Sequence, residues 1–215
     1  HTQARYVLPE IVQRFKGAYG DVDLHLHQGT TEQIAELAKL DRIDFAKLNE
    51  AQQLDMLRAW QLAFIRLGAP SAEVAAALAK KLDPFFPAKS DALNRELCTN
   101  LVFLKSPSVV AKTVALMKQD IKTENNFGRD VSARNKNYGG TIETMHKNHP
   151  ETQKLHYAYV LRNAKEGWTS ADRGFYFDWL SAANGKSGGA SYRNFLKNID
   201  ADAFANVPEA DRLAM

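Results

Sequence analysis

The chain has 215 residues, 45% of them apolar and 25% charged, which suits a globular protein able to bury a core. A net charge of +3 is too small to argue for nucleic acid, and a single cysteine, Cys98, leaves no internal disulfide and no cysteine metal cluster. No apolar run approaches the roughly 20 residues of a membrane-spanning helix, so no membrane partner is expected. The charge is uneven: residues 1–46 hold 5 basic against 7 acidic residues, and the remainder holds 23 against 18. The sign changes where the texture of the sequence changes, near Ala46.

Residues 1–46 read as an α/β opening. Tyr6-Val7-Leu8 looks like the tail of a strand. Pro9 opens a helix carrying Ile11, Val12 and Phe15, closed by Gly17 and Gly20. Val22, Leu24 and Leu26 alternate with Asp23, His25 and His27, the period of a strand. Gly29 stops it, and Thr30 or Thr31 caps a helix with Ile34, Leu37 and Ala38 on its apolar stripe. Asp41 to Ala46 reads as a further strand. The order is β-α-β-α-β, the first half of a doubly wound sheet.

Three stretches carry a resemblance: His1-Thr2-Gln3-Ala4-Arg5-Tyr6, Leu24-His25-Leu26-His27-Gln28-Gly29 and Asp44-Phe45-Ala46. They resemble the start of the effector-binding domain of LysR-type transcriptional regulators, in the branch that controls sulfur assimilation and cysteine synthesis. The resemblance implies a cleft for sulfate or an O-acetylserine-like anion, with ligands at Thr2, Gln3, Gly29, Thr30 and Thr31. Hydroxyls and free N–H groups at a helix N-terminus suit an anion, although Thr30 and Thr31 also serve as simple caps. The family's winged helix-turn-helix would precede His1, and a second subdomain would follow Ala46. Here the chain turns instead to Lys47-Leu48-Asn49-Glu50. The expectation is a truncated effector-domain fragment over 1–46, with no DNA binding by this chain.

From residue 47 the period shifts to about 3.6. Leu54, Leu57, Trp60, Phe64 and Ile65 form one stripe, stopped at Gly68. Pro70-Ser71 opens a second helix with Val74, Leu78 and Leu82, ended by Pro84. Leu93, Leu97, Leu101 and Leu104 form a third. Ser106-Pro107 reads as an N-cap with proline at the first helical position, before Val110, Val114, Met117 and Ile121. Leu155, Tyr159 and Leu161 mark a fifth helix, ended at Gly167. Thr169 with Asp172 makes a capping-box-like start to a sixth, carrying Phe175, Tyr176 and Trp179. Tyr192, Phe195, Leu196 and Ile199 mark a seventh. Residues 122–150 are polar, rich in Asn and Gly, and read as a loop insertion. With that insertion set aside, the turns at 66–71, 104–108 and 165–170 recur at the spacing of helical hairpins.

The fold class expected is therefore mainly α: a HEAT-like α-hairpin stack over 47–215, preceded by a small truncated β-α-β-α-β segment. A second resemblance points the same way. Asn94-Arg95-Glu96-Leu97, Val109-Val110-Ala111-Lys112-Thr113, Gly167-Trp168-Thr169 and Phe195-Leu196-Lys197-Asn198-Ile199 resemble the HEAT-like helical domain of large bacterial exported dehydrogenase and c-type haem proteins. A bacterial source follows from both resemblances. The first implies the cytoplasm, the second the periplasm. The haem attachment motif Cys-x-x-Cys-His is not in this chain, so no cofactor is expected.

Chemistry is sparse. His146, His149 and His156 are weak metal-site candidates, with no cysteine or carboxylate at a ligand spacing. Gly185-Lys186-Ser187 lacks the first glycine of a phosphate loop and reads as a helix-ending turn. No carboxylate pair or nucleophile elbow appears, and no catalytic residue is assigned. Trp168 and Phe177 stand in an aromatic cluster and are the candidate partner surface. The expected function is a non-catalytic helical-repeat module that docks or spaces a protein partner or neighbouring domain. The alternative is an anion-binding regulator fragment.

Overall fold

A computed structural model describes residues 43–120, 148–188 and 190–212. The segments read from 1–42 as strands and helices lie outside these residues, as do Thr2, Gln3, Gly29, Thr30, Thr31, His146 and most of the insertion. The described residues are mainly helical and include no strand. They belong to two compact units, one ending at Ser106 and the other starting at Pro107.

The first unit begins with a correction. Asp44-Phe45-Ala46 does not extend into a strand; Phe45–Lys47 is a 3-10 turn. The Asp44 side chain accepts from the Ala46 N–H, a local bond that competes with extended pairing. Phe45 is 1% exposed and meets the Phe85 ring edge-on at 4.8 Å. Phe45 thus packs this turn into the unit's core.

Helix α1 (Glu50–Leu67) starts at a full capping box, with Asn49 and Gln52 each bonding the other's backbone N–H. It stops at Gly68, whose φ of 91° favours glycine. Helix α2 (Ala72–Leu82) is capped by Ser71 and gives way to a 3-10 turn, Asp83–Phe85, at Pro84. Helix α3 (Asp91–Phe103) is capped by Ser90. Helix α1 packs on α3, and α2 packs on α3 as well. Leu57, Leu82, Leu97 and Leu101 are fully enclosed there. The Asn94 amide both accepts from and donates to the Ala88 backbone, at 2.7 and 2.9 Å, and fixes the entry to α3. Two expectations fail. Ile65 is 78% exposed, because it falls just off the stripe of Leu57, Trp60 and Phe64. The N-cap of the helix that starts at Val109 is Ser108, not Ser106, whose hydroxyl donates to Asp83 at 3.0 Å.

In the second unit α4 spans Val109–Lys118, α5 Thr152–Leu161, α6 Ser170–Ala183, α7 Tyr192–Ala205 and α8 Glu209–Arg212. Thr169 caps α6 as expected, accepting from the Asp172 N–H and donating to its carboxylate. Helix α4 packs on α5 and α6, and α7 packs on the same two helices. The four helices thus close a ring, whereas a hairpin stack adds each pair only to the next. Gly167 has a φ of 82°, and a Cβ there would stand 3.1 Å from the Pro107 carbonyl oxygen. The insertion returns at Asn148, whose amide donates to the Gly185 carbonyl and the Ser187 hydroxyl while Ser187 N–H donates to the Asn148 carbonyl. At its departure, Lys118 lies 3.4 Å from Asp172 and over the Phe175 ring. No helix of the described residues is long and apolar enough to cross a membrane.

Candidate aromatic slit on the second unit

The polar groups of the second unit converge on its aromatic side chains. Arg173, Tyr176 and Phe177 lie at i, i+3 and i+4 on α6, so they share one face. Gly167 turns the chain ahead of α6 and brings Trp168 over that face. Its ring meets Tyr176 edge-on at 5.2 Å. Tyr176 meets Phe177 at 5.4 Å, and Phe177 meets Phe204 of α7 at 6.4 Å. Leu161, Ala164 and Ala203 complete a shallow slit with an interior of about 10 Å³, room for one water.

Three polar groups line it, and two are committed. Trp168 Nε1–H donates to the Ala164 carbonyl at 2.9 Å. The Tyr176 hydroxyl donates to the Ala158 carbonyl at 2.7 Å. Burial pushes the Tyr176 phenol far above its usual range, with Asp200 and Asp202 adding to the rise and Arg162 opposing it. The third group is the Arg173 guanidinium, 7% exposed, 5.4 Å above the Trp168 ring and 3.8 Å from the Asp211 carboxylate.

The slit unites the two residues that sequence singled out as a partner surface, Trp168 and Phe177. Both are half-buried. Sequence missed Arg173, because an arginine on a helix is normally solvated. It also misassigned two aromatics. Tyr159 and Phe195, expected inside, are 39% and 36% exposed and stack on each other at 5.6 Å. Their helices bury Tyr157, Leu161, Leu196 and Ile199 instead. The Arg162 guanidinium lies 4.1 Å from the Tyr159 ring and bonds Asp202 at 2.9 Å.

The histidines are placed in part. His149 Nδ1 lies 2.8 Å from its neighbour's carbonyl, and the His156 ring meets Tyr157 at 6.4 Å. Among the described residues no group of three or more His, Cys, Asp or Glu is arranged to hold a metal. Gly185-Lys186-Ser187 is a turn that ends α6, as expected.

Comparison with known proteins adds a relationship for part of the chain. A stretch of 54 residues is 44% identical to the HTH-type transcriptional regulator CysB of Haemophilus influenzae, covering 25% of this chain and 17% of that protein. A stretch of 36 residues is 56% identical to CysB of Thiocapsa roseopersicina, 17% of this chain and 26% of that sequence. Over 50 residues the chain is 42% identical to the HTH-type transcriptional regulator cbl of Escherichia coli K12, 23% of this chain and 16% of that protein. The chain thus spans only about a sixth to a quarter of the length of the curated relatives it matches. No protein-family profile matches it, and no solved structure does. One segment of this chain, about a quarter of it, is related to LysR-type transcriptional regulators.

Proposed function

We propose that the LysR-related segment includes residues 1–46 and that these are an anion-recognising fragment of an effector-binding domain. The identity of 44–56% with CysB regulators carries this reading. The resemblance names Thr2, Gln3, Gly29, Thr30 and Thr31 as the ligands, whose hydroxyl and N–H groups suit sulfate or an O-acetylserine-like anion. Calorimetric titration of the full chain with sulfate and with O-acetylserine tests it. Heat of binding that disappears on Thr2→Ala and on Thr30→Ala supports the reading; no heat at millimolar ligand overturns it.

A second reading covers the helical residues. They form a non-catalytic helical interaction or spacer module for a protein partner or adjoining domain. The exposed, mutually stacked Tyr159 and Phe195 favour it, since rigid aromatics standing in solvent are what docking surfaces use as anchors. A photoreactive phenylalanine analogue at position 195, in the producing cell, tests it. A discrete adduct that vanishes with Tyr159→Ser supports docking; diffuse labelling overturns it.

A further inference from the structure

Asparagine is a labile side chain, most of all when glycine follows it, because no Cβ then shields the next backbone nitrogen from the side-chain carbonyl. Of the asparagines in this chain, only Asn184 precedes a glycine. Asn184 and Gly185 are exposed and form the turn that follows α6. The fold itself does not ask for glycine at 185. Its φ lies outside the left-handed region, and a Cβ there would stand 3.4 Å from the Ala182 carbonyl oxygen, an ordinary contact. Two bonds hold the Gly185 peptide. Its N–H donates to the Ala182 carbonyl at 3.1 Å, and its carbonyl accepts from the Asn148 amide at 3.1 Å. Ser187 reinforces the second hold: its N–H donates to the Asn148 carbonyl at 2.8 Å, and its hydroxyl accepts from the Asn148 amide at 3.2 Å. Attack on the side chain needs the Gly185 nitrogen to swing toward Asn184 Cγ. Asn184 must then leave its helix-like ψ of −21°, and the two bonds on the Gly185 peptide resist that rotation.

We propose that Asn184 is a site of spontaneous deamidation whose rate is set by the hold of Asn148 on Gly185. The Gly185 N–H gives its proton to hydroxide, and the nitrogen bonds Asn184 Cγ. The Cγ–Nδ2 bond breaks and ammonia leaves, which closes a five-membered succinimide. Water then opens the ring at either carbonyl. One opening gives aspartate at position 184, and the other gives isoaspartate, with the backbone routed through Cβ and Cγ. Nothing is oxidised or reduced, and water is the only reactant consumed. Both products put a negative charge at the C-terminal end of α6, the end where the helix dipole is already negative. Isoaspartate also adds a methylene to the backbone just ahead of Gly185, and so draws the Gly185 carbonyl off the Asn148 amide. Deamidation therefore loosens the point where the polar insertion rejoins the second unit. These residues lie outside 1–46 and include neither Tyr159 nor Phe195, so the site stands apart from both readings above.

The test incubates the full chain at neutral and at mildly alkaline pH and follows its tryptic peptides by mass spectrometry. Replacement of NH2 by OH marks the product, and electron-transfer fragmentation separates isoaspartate from aspartate. The peptide bearing Asn184 reacts ahead of every other asparagine, isoaspartate is in excess, and the rate rises with hydroxide. Gly185→Ala slows the reaction at least about tenfold, because its Cβ obstructs the attacking nitrogen. Asn148→Ala speeds it about fivefold, the change in open population that one lost hydrogen bond allows. The chain unfolded in denaturant reacts about tenfold faster than the folded chain, since opening of the turn is no longer required. The proposal is overturned if another asparagine reacts first or if Gly185→Ala keeps the original rate. It is overturned equally if the folded chain reacts as fast as the unfolded one, or if Asn148→Ala, still folded by circular dichroism, leaves the rate unchanged. Should Asn148→Ala fail to fold, Gly185→Ala and the comparison of folded with unfolded chain still decide.

Discussion

The first unit encloses aliphatic side chains, Leu57, Leu82, Leu97 and Leu101, and fixes each of its three described α-helices with a side-chain cap at Asn49, Ser71 or Ser90. The second unit is built around Tyr157 and Tyr176, buries Lys154 and Arg173, and starts α4, α5 and α7 without a side-chain cap. Aliphatic packing rewards volume and tolerates many arrangements, whereas a buried hydroxyl or guanidinium needs one acceptor in one place. Even the aliphatic unit keeps buried amides: Asn94 bonds the Ala88 backbone, and Asn100 donates to the Leu57 and Glu96 carbonyls while its Oδ1 has no partner among the described residues.

Several substitutions set the two units against each other. The largest effect belongs to the aliphatic core: Leu97→Ala costs about 3 kcal/mol, read by denaturant unfolding. A loss under about 1 kcal/mol would remove the packing account of the first unit. Next comes Tyr176→Phe, at about 1.5 kcal/mol, the upper range for a buried hydrogen bond. This variant also has a pH signature. The folded phenol ionises well above the unfolded value near 10, so its contribution is complete below about pH 10 and fades as pH rises beyond it. Tyr176→Phe flattens part of that alkaline decline, and an unchanged profile would contradict the buried-phenol account. Asn49→Ala, which dismantles the capping box of α1, costs about 1 kcal/mol. Phe195→Ser costs least, about 0.5 kcal/mol, since its ring is already partly in water.

The helices were legible from periodicity and stop signals, and their ends were less so. Thr169 and Ser71 announce their helices because the side chain sits directly before an apolar run. Ser106-Pro107 gave the same signal, yet α4 begins at Val109 with Ser108 at its N-cap, while the Ser106 hydroxyl donates to Asp83, a partner remote in sequence. Periodicity placed Tyr159 and Phe195 inside from their apolar character. On α5, however, Tyr157, Ala158 and Leu161 define the buried face, and a polar residue such as Gln153 belongs to it. Gln153 is satisfied there by donating to the Tyr157 hydroxyl at 2.8 Å, a pairing that no apolar count can foresee. The site was half visible. Trp168 and Phe177 stood out as aromatics, while Arg173 was hidden by the ordinary behaviour of arginine.

The way the insertion is tied down makes it an editing port. Its departure is held by Lys118 at the start of α6, and its return by Asn148 at the turn that ends α6, so both attachments are made to folded residues outside the insertion. Lengthening a closed loop is cheap, about 0.6 kcal/mol for each doubling. A reporter peptide or a whole domain spliced between 122 and 146 would enter and leave beside the two ends of α6.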